Sequence, residues 1–131
     1  MGKTTITVFP SEEAKRHKPL LMDELRQQAS DKIRRKVRYF ADKHGFKINK
    51  IAIKDTVSRW GSCSSDKNIN INWRLALAPT SVMDYVIIHE LCHTKEMNHS
   101  ERFWSLVEKC MPDYKVYDYW LRSHGHGIIL A

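Results

Sequence analysis

Apolar residues recur at helical spacing over the first third of the chain, at Leu21, Leu25, Ala29, Ile33, Val37, Phe40 and Ala41. This spacing predicts a long amphipathic helix. It should start near Pro19, a residue favoured in a first helical turn, and stop at Gly45. Ahead of it the chain is polar, apart from Thr4–Phe9, which reads as a lone edge strand or a lead-in. Beyond Gly45 the period changes. Ile48, Ile51 and Ile53, then Thr56 and Val57, predict an extended segment. After the turn-like Ser65-Asp66-Lys67-Asn68, Ile69, Ile71 and Trp73 alternate with Asn70, Asn72 and Arg74. That is the pattern of a half-buried strand running to Leu75. Together these segments predict an antiparallel hairpin or short sheet. Gly61, between them, either leaves room for a close backbone approach or forms a bulge.

Helical spacing then returns. Pro79-Thr80-Ser81 opens a helix in which Ser81 and Asp84 have capping-box spacing. Val82, Val86, His89 and His93 form one stripe, and Met83, Ile87 and Leu91 another. A helix apolar on most sides should be central. The next helix, from Ser100, puts Phe103, Leu106, Val107 and Cys110 on one face, and Pro112 closes it. Asp113 can cap a last helix carrying Tyr117, Trp120 and Leu121, stopped by Gly125. The expected fold is α+β: a small antiparallel sheet against a long N-terminal helix and a central helix, with C-terminal helices after it. At 131 residues, 1–131 should be a single domain.

Composition adds constraints. A hydrophobic content of 42% and a charged content of 28% are ordinary for a soluble globular protein. No apolar run is long enough to span a membrane, and the N-terminus carries no signal-peptide pattern. Cys63, Cys92 and Cys110 are odd in number and form no CxxC pair, which points to a reducing, cytoplasmic setting. The net charge of +7 owes much to Lys15-Arg16-His17-Lys18 and to Lys32, Arg34, Arg35, Lys36 and Arg38. Such a basic face can contact nucleic acid or an acidic partner. It can equally be a solvated helix face, and no nucleic-acid-binding motif accompanies it.

The candidate chemistry lies in the central helix. His89-Glu90-Leu91-Cys92-His93 reads H-E-x-x-H, and a third histidine, His99, follows six residues later. Residues four apart share a helix face, so His89 and His93 can offer two imidazoles to one metal ion, with Glu90 beside them. A bare H-E-x-x-H also arises by chance. Here, however, two histidines and a glutamate in an apolar helix would be costly to bury without a partner. If the helix ran on, His99 would sit about 9 Å further along and about 240° around. The helix is therefore expected to end near Met97 or Asn98, with Asn98 in the left-handed conformation and Ser100 capping the next helix. The spacing of the third histidine also occurs in metzincins, but Glu96 stands where their glycine would be. Cys92 points away from the shared face of the two helix histidines and reads as a small core residue.

Several separated motifs, in this order, resemble those of the YgjP-like metallopeptidases, small zincin-type proteins related in outline to the SprT-like group. They are Arg59-Trp60-Gly61-Ser62-Cys63-Ser64, Asn72-Trp73-Arg74-Leu75, Asp84-Tyr85-Val86-Ile87, the H-E-x-x-H itself, Asn98-His99-Ser100 and Phe103-Trp104. The resemblance covers roughly Lys50 to Gly125. Members often carry a longer β-rich N-terminal part, and only Met1 to Pro10 can represent its remnant here. The resemblance implies a zincin-like fold, His89, His93 and His99 as ligands of one zinc ion per chain, and Glu90 as the catalytic residue.

Zinc chemistry then gives an expected mechanism. Three ligands leave a fourth position for water, whose pKa zinc lowers. Glu90 takes a proton from that water and delivers one to the leaving amine of a peptide or protein substrate. A second oxyanion donor is open among Tyr114, Tyr117, Tyr119, His124 and His126, all downstream. Arg59 can bind substrate or brace Glu90. Two other readings compete: a nucleic-acid-associated protein working through its basic helix, and a zinc-stabilised interaction module without turnover. A three-histidine site also accepts other divalent ions.

Overall fold

A computed structural model describes the backbone of residues 12–124 and 129–130, and side chains from 21 to 124. The strand expected at Thr4–Phe9, the stop at Gly125 and the candidate His126 lie outside the described residues. The elements are helix α1 (Glu12–His44), strands β1 (Ile51–Lys54), β2 (Arg59–Cys63) and β3 (Ile69–Asn72), a 3-10 turn (Trp73–Leu77), helices α2 (Thr80–Cys92), α3 (Glu101–Cys110) and α4 (Tyr114–His124), and strand β4 (Ile129–Leu130). The fold is α+β, as the periodicity indicated.

Helix α1 begins earlier than expected and runs through Pro19. The sequence 12–18, Glu-Glu-Ala-Lys-Arg-His-Lys, consists largely of good helix formers. The helix ends where glycine signals it. Gly45 takes a φ of +73°, and the Phe46 N–H donates to the Ala41 carbonyl at 2.8 Å. This left-handed cap brings buried Phe46 against buried Ala41. Ala29, Ile33, Val37 and Ala41, four residues apart, are the buried stripe. Among the basic residues of α1, Arg34 donates to Ser30 and to the Ile51 carbonyl, and Lys36 pairs with Asp84 at 2.8 Å. Lys32, Arg35 and Arg38 remain exposed.

The sheet is mixed rather than purely antiparallel, in the order β1-β3-β2-β4. β2 and β3 form the expected antiparallel pair, with Gly61 opposite Ile71 and Cys63 opposite Ile69. β3 inserts between β1 and β2 and runs parallel to β1, and β4 runs parallel to β2.

Strand β3 also stops sooner than its alternation suggested. Asn72 is fully buried. Its side-chain amide donates to the carbonyls of Thr56 and Arg59, and its oxygen accepts from the Arg74 N–H at 3.0 Å. These bonds tie β3 to the β1–β2 connection and turn the chain into the 3-10 segment, so Trp73–Leu75 are not strand. Trp73 is clasped by the guanidinium groups of Arg26 and Arg74, which share Asp55.

Helix α2 is central and touches α1, α3, α4, β2, β3 and the 3-10 turn. Every residue from Val82 to Cys92 except Asp84 is buried. Ser81 does not cap it. Pro79 is the first flanking residue, and its carbonyl accepts from the N–H groups of Val82 and Met83. Asp84, expected as the other half of a capping box, instead meets Lys36. Among the described residues no helix is long and apolar enough to cross a membrane.

Candidate metal centre

Helix α2 ends at Cys92, five to six residues before the expected point. The chain leaves the helical path at once. Thr94 N–H donates to the Leu91 carbonyl at 3.0 Å, and its hydroxyl donates to the same carbonyl at 2.7 Å. The N–H groups of Lys95 and Glu96 both donate to the Cys92 carbonyl at 3.0 Å. This tight turn does the work assigned to Asn98. Among described non-glycine residues only Lys67 has positive φ, so Asn98 is not left-handed. Ser100 caps α3 as expected, its hydroxyl accepting from the Phe103 N–H.

The early turn brings His99 back to His89 and His93. One ring nitrogen from each lies within 4.8 Å of the others. His93 Nε2 is 3.1 Å from His99 Nε2, which is 3.3 Å from His89 Nε2. Nitrogens at neighbouring corners of a tetrahedron with zinc–nitrogen bonds of about 2.05 Å stand about 3.3 Å apart, so the spacing fits such an ion. The donor chemistry fits as well. His93 Nδ1 lies 3.0 Å from the Glu96 carbonyl, an acceptor only, so Nδ1 carries the hydrogen and Nε2 presents a lone pair to the cluster. His89 and His93 are buried and His99 is exposed, which leaves the centre open on one side.

Helix α3 forms the wall behind the three rings. Phe103 stacks on His93, with centroids 4.3 Å apart, and meets His89 and His99 edge-on. Trp104 stacks on His99, and Tyr114 stacks between Trp104 and Tyr85. Periodicity marked Phe103 only as core. The ring contacts depend on how α3 folds back, which the sequence pattern does not carry.

Glu90 is fully buried. Neither carboxylate oxygen has a hydrogen-bond partner among the described residues. Burial lifts its pKa well above the ordinary carboxylate range, and the Arg59 guanidinium pulls it part of the way back. Of the two readings of Arg59, this interaction favours the brace. Gly61 makes a close approach: a β-carbon there would stand 3.0 Å from Glu90 Cγ and 3.2 Å from the Asn70 carbonyl. The β2–β4 register is also irregular between Arg59 and Gly61.

The downstream oxyanion candidates separate. Tyr114 belongs to the aromatic wall. Tyr117 donates its hydroxyl to Asp113, Tyr119 is exposed, and His124 turns back onto Trp120. Sequence reasoning gave no role to Tyr85 or Asp118. The Tyr85 hydroxyl lies 3.3 Å from His89 Nδ1 and 3.1 Å from Asp118 Oδ1, and Arg122 Nε donates to Asp118 Oδ2 at 2.8 Å. Burial, then the Asp118 carboxylate, hold the Tyr85 hydroxyl firmly protonated.

The YgjP-like family model, a metallopeptidase domain, matches residues 2–124. The chain belongs to that family. The match reaches well ahead of Lys50, so α1 is part of the family's domain as well. Membership of this metallopeptidase family marks the chain as a hydrolase whose substrates are peptides or proteins, and three histidines stand where a divalent metal can be held. Among solved structures, the metallopeptidase zymogen of Pyrococcus abyssi abylysin superposes with a TM-score of 0.63 at 22% identity, covering 74% of this chain and 99% of that one. That likeness shows a shared fold. No curated protein matches the chain significantly.

Proposed function

We propose that this YgjP-like domain is a zinc-dependent metallopeptidase, with His89, His93 and His99 as the metal ligands and Glu90 as general base and acid. The observation that carries the reading is the convergence of three histidine ring nitrogens, with His99 Nε2 3.1 Å from His93 Nε2 and 3.3 Å from His89 Nε2, beside a buried carboxylate that has no hydrogen-bond partner among the described residues. Three imidazoles suit zinc and leave a fourth position open, the arrangement of catalytic rather than structural sites. When bound, zinc supplies Lewis acidity, which acidifies water and polarises a carbonyl.

The chain's own residues do the rest. Glu90 accepts a proton from the attacking water at its carboxylate as the oxygen–carbon bond forms. It returns a proton to the amine nitrogen as the carbon–nitrogen bond breaks. Burial, which raises the Glu90 pKa, makes its carboxylate a stronger base toward water. Phe103 and Trp104 exclude water from the ligand rings on one side. The single continuous core supports one catalytic unit. Cys63, Cys92 and Cys110 are free thiols, which fits a reducing compartment such as the cytoplasm.

The test is Glu90→Gln in metal-loaded protein. It should keep the fold and the metal and lose peptide hydrolysis. Undiminished hydrolysis in that variant overturns the reading.

A further inference from the structure

Tyr85 has one hydroxyl hydrogen and two neighbours that compete for it, His89 Nδ1 at 3.3 Å and Asp118 Oδ1 at 3.1 Å. An ionised carboxylate can only accept, and a bond to it is charge-assisted, so the hydrogen goes to Asp118. Arg122 Nε donates to the other carboxylate oxygen at 2.8 Å and holds the Asp118 side chain in place. With its hydrogen spent, the Tyr85 oxygen can only accept from His89. His89 must then carry its hydrogen on Nδ1, and its lone pair is on Nε2, the atom that faces His99.

We propose that Tyr85 and Asp118 are positioning residues for the metal centre: they fix His89 in the Nδ1–H form and hold its ring at the angle that aims Nε2 into the cluster. Two features beyond the hydrogen bonds support this. Tyr85 is fully buried one helical turn before His89, so its hydroxyl has little freedom to turn elsewhere. Its ring meets His89 edge-on on one side and stacks on Tyr114 on the other, so its position is set by packing. Asp118 comes from α4, 33 residues further along the chain. The ligand set is thus held by three helices: α2 carries two histidines, the start of α3 shapes the third, and α4 orients the first. His93 is oriented by its own turn, through the Glu96 carbonyl. His89 lies in the last turn of α2, and its Nδ1 meets the Tyr85 side chain, which serves the same purpose.

The inference rests on the metal-site reading, and the experiment separates the two. Nitrogen NMR of 15N-histidine-labelled, metal-free protein at about pH 8, where imidazole is neutral, reads the tautomer directly. Wild type should show His89 protonated at Nδ1. Tyr85→Phe, which keeps the ring packing, should show a mixture of both tautomers. Zinc and cobalt affinities, measured by competition with a chelator, should fall about 10- to 100-fold in Tyr85→Phe. Asp118→Asn still accepts from Tyr85 but lacks the charge, and it should fall less and keep the tautomer. An unchanged tautomer and unchanged affinity in Tyr85→Phe overturn the proposal. Should wild type bind neither metal, the metal-site reading fails, while the tautomer of His89 still decides what Tyr85 does. A purely structural role would lower the unfolding midpoint and leave both readouts where they are.

Discussion

Gly61 on β2 lies flat against the side chain of Glu90 on α2. A β-carbon at Gly61 would stand 3.0 Å from Glu90 Cγ and 3.3 Å from its Oε2, with the Asn70 carbonyl closing the other side at 3.2 Å. Gly61→Ala must therefore move Glu90 or the strand. We expect a stability loss of about 1–3 kcal/mol from overpacking and a fall in peptide hydrolysis larger than any fall in zinc affinity. Gly45→Ala is the contrast. Nothing lies near its β-carbon, but φ is +73°, so it should cost about 1 kcal/mol of stability through backbone strain and leave the metal centre alone. Denaturant unfolding of both variants, beside hydrolysis and metal titration, checks the pair. Equal effects of the two on hydrolysis would contradict the assignment of Gly61 to the site.

Metal content of purified protein should be about one zinc per chain. His99 is exposed and lies outside the helices, so His99→Ala should lose the metal with little change in the metal-free fold. His93→Ala removes a buried ring stacked on Phe103 and should lose the metal and also lower stability. Mass spectrometry for metal and thermal unfolding of the metal-free forms tell the two apart.

Asp55 sets part of the acid response. Its hydrogen bond from Arg74, reinforced by the charges of Arg26 and Arg74, lowers its pKa from the ordinary 3.8. The folded carboxylate therefore stays ionised where an unfolded one takes a proton. Stability from this clasp is fully present above the ordinary value and is lost as pH falls through the lower folded one. Asp55→Asn should flatten the acid limb of a stability–pH curve measured between about pH 5 and about pH 2. A limb of unchanged slope would show the clasp to be energetically idle.

The thiols differ in reactivity for a structural reason. Cys92, buried in α2, hydrogen-bonds to Cys110 at the end of α3 and lowers the pKa of Cys110. Cys63 is pushed up to about 11, mainly by burial. Iodoacetamide near neutral pH should label Cys110 first, because the thiolate is the reacting form. Cys92→Ala should slow that labelling. Peptide mass spectrometry of time points decides it, and faster labelling of Cys63 would contradict the contact.

The sequence disclosed what depends on short spacing and concealed what depends on return. His89 and His93, four apart on a helix, were legible at once, and so were the Gly45 stop and the Ser100 cap. The place where α2 ends was not. Thr94 stops it by bonding back to the Leu91 carbonyl, and Asn98, the better statistical candidate, is bypassed. The parallel pairing of β1 with β3 is set by insertion of a later strand between two earlier ones, which alternation cannot reveal. Asn72 looked like a solvent-facing position because the pattern counts polarity, yet its amide is buried to hold two carbonyls. Tyr85 and Asp118 lie 33 residues apart and carry no local sign of each other.

Helix α1 has two halves with different lifetimes. From Ala29 onward every fourth residue is sealed in the core, whereas residues 21–28 are exposed or half-buried and are held to the body through Arg26, on Asp55 and Trp73. Amide hydrogens beyond Ala29 are expected to exchange with solvent through opening of the core, and those of 21–28 through smaller, local openings. The same rod thus carries a fast clock at one end and a slow one at the other, and the boundary between them falls at Ala29.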